Sequence, residues 1–207
     1  MIHRRALLGG LALAALLPGA PGAAVPPDEA ALLEEIERYL NNITTLKARF
    51  TQIAPSGEMA TGMLYLQRPG RLRFDYDPPS KILLIATDWR LVFVDSSIRQ
   101  VNTLPLAETP LGFILDRQVR LGDGIEAVDV RSGGGEVAVS VARSGQAEQG
   151  QVTLYFAKAP MELRRWAVTD AQGLVTTVIL EELQTGMKLD QKLFRFRDPE
   201  IFGWPEG

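Results

Sequence analysis

The sequence predicts a mainly β fold in which a meander of antiparallel strands curls strongly or closes, with a few helices. Most of the chain after Ala48 alternates between apolar and polar residues with the period of two that strands show. Turn signals such as Pro78-Pro79 and Gly133-Gly134-Gly135 separate the alternating runs at near-regular intervals. Many short strands at this spacing are typical of a barrel or of a strongly twisted sheet.

The first 24 residues have the pattern of a secretory signal peptide. A basic segment at residues 3–5 precedes an apolar run of 12 residues from Ala6 to Leu17, and small residues extend to Ala24. The apolar run is too short to span a bilayer. We therefore expect cleavage after Ala24 and one domain over residues 25–207. The paired arginines fit export by either the Sec or the twin-arginine route.

The composition excludes several classes of function. The chain has no cysteine, and its single histidine, His3, lies in the expected signal peptide. A mature chain without these residues lacks the usual zinc ligands, cysteine nucleophiles and the commonest general base. We expect no enzyme activity, no metal and no cofactor, although a hydrolase that uses only carboxylates stays open. Removal of residues 1–24 takes away two arginines and no acid, leaving 20 basic against 25 acidic side chains. This balance argues against nucleic acid as a partner.

An amphipathic helix is predicted over residues 29–46, with Asp28 as its N-cap. Its apolar residues recur at helical spacing: Leu32, Leu33, Ile36, Tyr39, Leu40, Ile43 and Leu46. Strands follow over 48–53, 59–68, 71–77, 81–86, 90–95 and 98–103, and later over 126–131, 136–143, 151–157, 162–169, 174–183 and 192–196. Between the two groups, Thr109-Pro110-Leu111 predicts the start of a short apolar helix that ends near Asp116. This helix either plugs the sheet or forms a mobile lid.

Residues 62–76 predict a β-hairpin bent at Pro69-Gly70. One set of alternating positions is apolar except for Arg68, which is in register with Leu64 and Leu66. A buried guanidinium costs several kcal/mol unless it is well hydrogen-bonded. Arg68 is therefore either a strand-end residue that reaches water or a specific polar contact in an apolar interior.

The inward positions of the predicted sheet are rich in large apolar residues. A barrel of about ten or more strands is too wide for side chains alone to fill, so the remaining space is a cavity or is plugged by the helices. An apolar cavity in a domain without catalytic residues suggests a carrier of lipids or acyl chains. The candidate acyl-binding residues are Leu64, Leu66, Leu72, Phe74, Tyr76, Leu84, Leu91 and Phe93.

Four segments of the chain, in their order and spacing, resemble the periplasmic outer-membrane lipoprotein carrier family, LolA. The resemblance covers essentially the whole expected mature length. The segments are Phe50-Thr51-Gln52, the hairpin 62–76, Thr109-Pro110-Leu111, and Asp170-Ala171-Gln172-Gly173 followed by Leu193-Phe194-Arg195-Phe196. Two departures bear on cavity shape and lipid preference: Asp88-Trp89 stands where the family has an aspartate-glycine turn, and Val92-Phe93-Val94-Asp95 lacks the family's aromatic pair.

The resemblance implies an incomplete, half-open antiparallel β-barrel covered by a helical lid. It also implies a monomeric periplasmic carrier that takes acylated lipoproteins from an inner-membrane ABC-type release complex. An outer-membrane receptor lipoprotein, where one exists, would unload it. In this family the arginine before the hairpin proline points inward and bonds the lid; that residue is Arg68 here, and the lid residues are Leu111, Ile114 and Leu115. A lipid-binding sensor of the same fold and an enzyme on the same half-barrel are the alternatives.

Overall fold

A single open sheet of 11 antiparallel strands dominates the computed structural model, which describes residues 27–109 and 112–204. The strands are β1 Thr45–Ile53, β2 Met59–Gln67, β3 Arg71–Tyr76, β4 Ile82–Thr87, β5 Arg90–Asp95, β6 Gln100–Pro105, β7 Ile125–Gly133, β8 Glu136–Arg143, β9 Gly150–Lys158, β10 Met161–Asp170 and β11 Val175–Thr185. The expected mainly β fold with few helices is confirmed, and the sheet does not close. The expected signal peptide and Leu111 lie outside the described residues.

The sheet consists of two meanders that join where β1 pairs with β11. One meander runs from β1 outward to β6, and the other runs from β11 outward to β7, so β6 and β7 form the two edges. Residues 106–124 connect these edges and include a four-residue 3-10 helix, Gly112–Leu115, which we name the lid helix. The connection between the two edges therefore carries the short apolar helix that the sequence predicts.

The main hydrophobic core lies on one face of the sheet, the inner face, beneath helix α1 (Pro27–Asn42) and the lid helix. The period-two alternation places Leu64 and Leu66 of β2 opposite Phe74 and Leu72 of β3. From α1, Ile36 and Leu40 are almost fully buried against this face. These and the other members of the cluster span the inner positions of both meanders. Helix and sheet thus enclose a single apolar layer.

A smaller cluster lies on the opposite, outer face. Ile85 of β4 and Val92 and Val94 of β5 form it, because their neighbours in sequence point to the inner face. Phe196 and Trp204 pack against this outer cluster, so the C-terminal segment crosses the back of the sheet. The outer face of this meander is therefore covered as well.

One predicted boundary and one predicted strand were wrong. The first helix ends at Asn42 rather than near residue 46, because Asn41-Asn42 and the following β-branched residues favour helix weakly, and Thr45 already pairs with Gln67 of β2. Residues 192–196 do not form a strand. Instead a 3-10 helix spans Gln191–Phe194, and the Asp190 side chain accepts a hydrogen bond from the Lys192 N–H at its start.

Candidate functional site

An apolar cavity lies between the inner face of the sheet and the two lid elements, α1 and the lid helix. Leu64, Leu66 and Leu72 contribute from β2 and β3, and Ile114 and Leu115 contribute from the lid helix. Each of these five residues is only 1–8% exposed. The other lining residues come from α1, β1, β10 and the turns between elements: Leu40, Ile43, Leu46, Arg68, Leu163 and Trp166.

The cavity has a volume of about 40 Å³. This volume is close to that of one water molecule, whereas a cavity of roughly 150 Å³ accommodates benzene. A long acyl chain therefore does not fit unless α1 or the lid helix moves away from the sheet. In this structure the site is therefore closed to a chain of that length.

Arg68 follows the last residue of β2 and is the one charged side chain among the described residues that line the cavity. Its Nη1 donates a hydrogen bond to the Leu40 carbonyl, at 2.7 Å. Leu40 lies in the last turn of α1, where unpaired carbonyls and the helix dipole favour a positive charge. The Arg68 Nε is buried and has no hydrogen-bond partner within residues 27–109 and 112–204. Arg68 thus contacts the lid, but its buried, unpaired Nε opposes this contact by a free-energy penalty.

Burial lowers the pKa of Arg68 to about 10, and attraction to Asp116 offsets only part of this effect. Asp116 follows the lid helix directly; burial raises the pKa of its carboxyl, and Arg68 opposes that shift. Arg68 therefore interacts with the end of α1 by a hydrogen bond to Leu40, and with the end of the lid helix by electrostatic attraction to Asp116. Among the hydrogen bonds of the described residues, the Arg68 guanidinium reaches a carbonyl of α1 alone.

Side chains of α1 also fasten the segment that follows the lid helix. The Asn41 amide donates to the Val119 carbonyl at 2.9 Å and accepts from the Val119 N–H at 2.8 Å. A carboxylate oxygen of Glu37 accepts the Leu121 N–H. These bonds replace the strand partners that the backbone of residues 119–121 lacks here. Helix α1 is consequently tied to the segment that follows the lid helix.

Besides the Arg68 bond, two contacts hold the lid elements to the sheet. The Gly70 N–H in the β2–β3 turn donates to the Leu115 carbonyl of the lid helix at 2.8 Å. The Tyr39 hydroxyl of α1 accepts the Leu163 N–H at 2.9 Å. Leu163 lies beside a shift in the register of β10 with β9, between Leu163 and Arg165. Burial raises the pKa of Tyr39, so the hydroxyl stays neutral at physiological pH.

An aromatic cluster adjoins the cavity through Trp166. Ring centroids of Phe50 and Phe74 lie 4.9 Å apart, those of Phe50 and Tyr76 lie 5.1 Å apart, and those of Phe74 and Trp166 lie 6.2 Å apart, all edge to face. Gly62 makes room for this cluster, because a Cβ at that position would lie 2.6 Å from the Phe50 ring and 2.1 Å from the Asp75 carbonyl oxygen.

Tyr76 closes the far side of the aromatic cluster. Its hydroxyl donates to the Gln52 side-chain carbonyl at 2.7 Å. Burial raises the pKa of Tyr76 to about 12, although the bond to Gln52 works in the opposite direction. The ring therefore brings no charge to the inner face.

The structure brings part of the predicted acyl-binding set together at the cavity and spreads the rest along the inner face. Leu64, Leu66 and Leu72 line the cavity, as do the predicted lid residues Arg68, Ile114 and Leu115. Phe74, Tyr76, Leu84 and Leu91 belong to or pack against the same core cluster without lining the cavity, and Phe93 lies outside that cluster.

Sequence reasoning missed Asn41 and Glu37 as lid residues. Both occupy the polar face of the predicted helix, which resembles an ordinary solvated surface. The paired asparagines at 41 and 42, unusual in a helix interior, are the one signal that was present.

Comparison with known proteins assigns the chain to a family. The family model described as outer membrane lipoprotein carrier protein LolA matches residues 41–197 of the chain. This match spans the complete sheet and, apart from Leu40, every residue that lines the cavity. The chain belongs to the LolA family.

Curated relatives agree with membership in the LolA family. The outer-membrane lipoprotein carrier protein of Alkalilimnicola ehrlichii is 30% identical over 203 residues, which cover 92% of this chain and 92% of that relative. The outer-membrane lipoprotein carrier protein of Methylococcus capsulatus is 28% identical over 173 residues, covering 79% and 82%. Among solved structures, the LolA superfamily protein of Nitrosomonas europaea covers 79% of this chain and 97% of its own, with a TM-score of 0.43 and 12% identity.

Within residues 27–109 and 112–204, no helix is both long enough and apolar enough to cross a bilayer.

Proposed function

We propose that this protein is a periplasmic carrier that binds the acyl chains of lipoproteins released from the inner membrane and delivers them to the outer membrane. The observation that carries this proposal is the apolar cavity, which two lid elements close over the inner face of the sheet. The names of the curated relatives support the cargo class. The reaction is binding and release, without covalent chemistry.

The inner face offers an apolar path longer than the closed cavity. Leu84 and Leu91 are partly buried against the core cluster, and Phe93 follows Leu91 on the same face of β5. Leu104 of the edge strand β6 lies opposite Leu91 and is 54% exposed. When the lid elements lift, these side chains continue the cavity toward the β6 edge, where an acyl chain replaces the contacts of the lid.

Release requires that acyl affinity stay moderate. Each CH₂ group of an acyl chain contributes about 0.8 kcal/mol when it leaves water, so a fully covered chain would be held very tightly. Closure of the lid over an empty cavity competes with the cargo, because the closed form buries the same apolar face. Loading by an inner-membrane ABC-type complex and unloading by an outer-membrane receptor lipoprotein fit this exchange.

Purification of the protein from periplasm without detergent, followed by mass spectrometry, tests the proposal. We expect acylated lipoprotein to accompany the wild-type protein. Leu72→Glu places a carboxylate in the cavity wall beside the hairpin turn and should abolish the association while the protein stays folded. Transfer from loaded carrier to outer-membrane vesicles separates a carrier from a sensor. Lipoprotein that binds but is never handed on would contradict the carrier function.

A further inference from the structure

A second space lies on the other side of the lid helix. This groove has a volume of about 370 Å³ and runs between the lid helix and the ends of β7, β8 and β9. We name it the side groove; its lining includes Phe113, Ile125, Val141, Gln146, Gln149 and Gln151. It is several times larger than the closed apolar cavity. No step of the proposed carrier cycle uses it so far.

The lid helix separates the side groove from the apolar cavity. Ile114 and Leu115 line the cavity, whereas the preceding residue, Phe113, lines the side groove. Phe113 is 7% exposed and belongs to the same buried cluster as the cavity residues, and so does Val141 on the groove floor. Both spaces therefore share one apolar base, with four residues of 3-10 helix between them.

The chemistry of the side groove differs from that of the cavity. Three glutamines, at positions 146, 149 and 151, line it, and each carboxamide both donates and accepts hydrogen bonds. Arg143 and Glu108 contribute one charge of each sign, so the groove carries no net charge. Within the described residues, these five side chains make no side-chain hydrogen bond or ion pair with protein groups. Glu108, Gln146 and Gln149 are exposed, so a ligand in the groove can reach them.

An acylated lipoprotein has the matching chemistry: apolar chains on its first residue, followed directly by peptide groups that also donate and accept. We propose that the side groove binds the polypeptide segment next to the acylated residue of the cargo, while its acyl chains occupy the opened cavity. This inference rests on the proposed carrier function. Backbone groups of an extended segment pair with the carboxamides, and Phe113 and Val141 offer apolar contacts to its side chains.

Two fluorescent probes separate this inference from the carrier function. The first is a fatty acid with an environment-sensitive fluorophore, and the second is the same acyl chain joined to the N terminus of an uncharged six-residue peptide. We expect the wild-type protein to bind the acylated peptide about tenfold more tightly than the fatty acid, as about two added hydrogen bonds would give. Equal affinity for the two probes would overturn the inference and leave the carrier function standing. Failure to bind the fatty acid would overturn both.

The double variant Gln146→Ala/Gln149→Ala should lose the advantage for the acylated peptide and bind the fatty acid as the wild type does. Both residues are exposed, so the fold should tolerate the change. Lys158→Ala is the control, because Lys158 lines a different groove, of about 450 Å³, beneath α1. This change should leave the affinity for both probes as it is in the wild type. Equal loss of affinity for both probes, or an equal effect of the control, would overturn the inference.

Crosslinking gives a direct readout of position. The chain has no cysteine, so Gln149→Cys creates a single site for a photoactivatable label. We expect this label to crosslink to the peptide part of the acylated probe, and a label on Lys158→Cys not to. Crosslinks from the Lys158 position alone would place the peptide elsewhere and overturn the inference.

Discussion

Arg68 places a positive charge beside an apolar cavity, with one hydrogen bond to the end of α1 and an unpaired buried Nε. Burial lowers the pKa of Arg68, and the nearby Asp116 carboxylate opposes this shift only in part. When the lid opens, water can solvate the guanidinium fully. In the closed form, desolvation of the guanidinium therefore opposes the hydrogen bond to Leu40, as the proposed carrier cycle requires of a lid that opens.

Arg68→Leu should increase affinity for an acyl probe by about tenfold. In the wild type a bound acyl chain keeps water away from the Arg68 guanidinium, and the variant has no charge there to desolvate. The variant should load lipoprotein at least as well as the wild type but release it poorly to outer-membrane vesicles. Arg68→Lys should release lipoprotein better than Arg68→Leu, because it keeps the positive charge. It should still be impaired, because an ammonium group lacks the planar donor geometry of the guanidinium. Loading and transfer are measured separately.

Arg71→Leu is the control for this test, because Arg71 is exposed and lies on the opposite face of the hairpin. It should leave both loading and transfer unchanged. Arg68→Leu protein that loads and transfers like the wild type would show that the buried charge has no part in release.

The position of Arg68 was predictable from the sequence, whereas its partner was not. Strict alternation of residues 62–68 places Arg68 on the face of Leu64 and Leu66. Its bond to Leu40 depends on where α1 ends, and the helical spacing of Ile43 and Leu46 continues past that point into β1. The apolar spacing around residues 43–46 therefore fits the end of α1 and the start of β1 equally well. Only the pairing of β1 with β2 decides where the helix ends.

At the scale of the element, β2 depends on a residue that has no side chain. Gly62 lies opposite Tyr76 in β3 and beside Phe50 in β1, and the Phe50 ring occupies the space over its Cα. A Cβ at this position would lie only 2.1 Å from a backbone oxygen, so β3 itself would have to shift. The aromatic cluster that adjoins the cavity is thus made possible by one strand glycine.

Gly62→Ala should destabilise the protein by about 3 kcal/mol, as overpacking against rigid backbone does. Urea unfolding measures this change. Gly133→Ala is the matched control, because Gly133 also lies in a strand and a Cβ there would meet nothing within 4 Å. We expect the control to change stability by less than about 0.5 kcal/mol. Equal stability of the two variants would show that β2 and β3 yield easily at Gly62.

Local sequence patterns predicted one feature of the lid elements and missed another. Thr109-Pro110-Leu111 and the apolar residues 113–115 together predicted a short helix, and a helix this apolar must be covered on most sides. The clamp that Asn41 and Glu37 form with residues 119–121 joins positions about 80 residues apart in the chain. No local pattern encodes such pairs, since each side chain taken alone fits a solvated helix face.

At the scale of the whole molecule, two meanders share one apolar face, and the connection between their outer edges crosses over it. Because α1 is tied to this connection, a single movement of both lid elements would expose the inner face along both meanders. The alternating strands predicted that face. They did not predict that the lid elements pack against this face so closely that a cavity of only about 40 Å³ is left. Such packing depends on contacts between residues that are distant in sequence.

Acyl-probe binding by Leu66→Glu and Gln67→Glu tests most directly whether acyl chains bind between the lid elements and the sheet. The two variants add the same charge at neighbouring positions of β2, but Leu66 lines the cavity and Gln67 does not. Unfolding curves establish that both proteins are folded. We predict that the wild type and Gln67→Glu bind the probe with micromolar or tighter affinity and that Leu66→Glu binds at least about a hundredfold more weakly. Undiminished binding by folded Leu66→Glu protein would contradict the central claim.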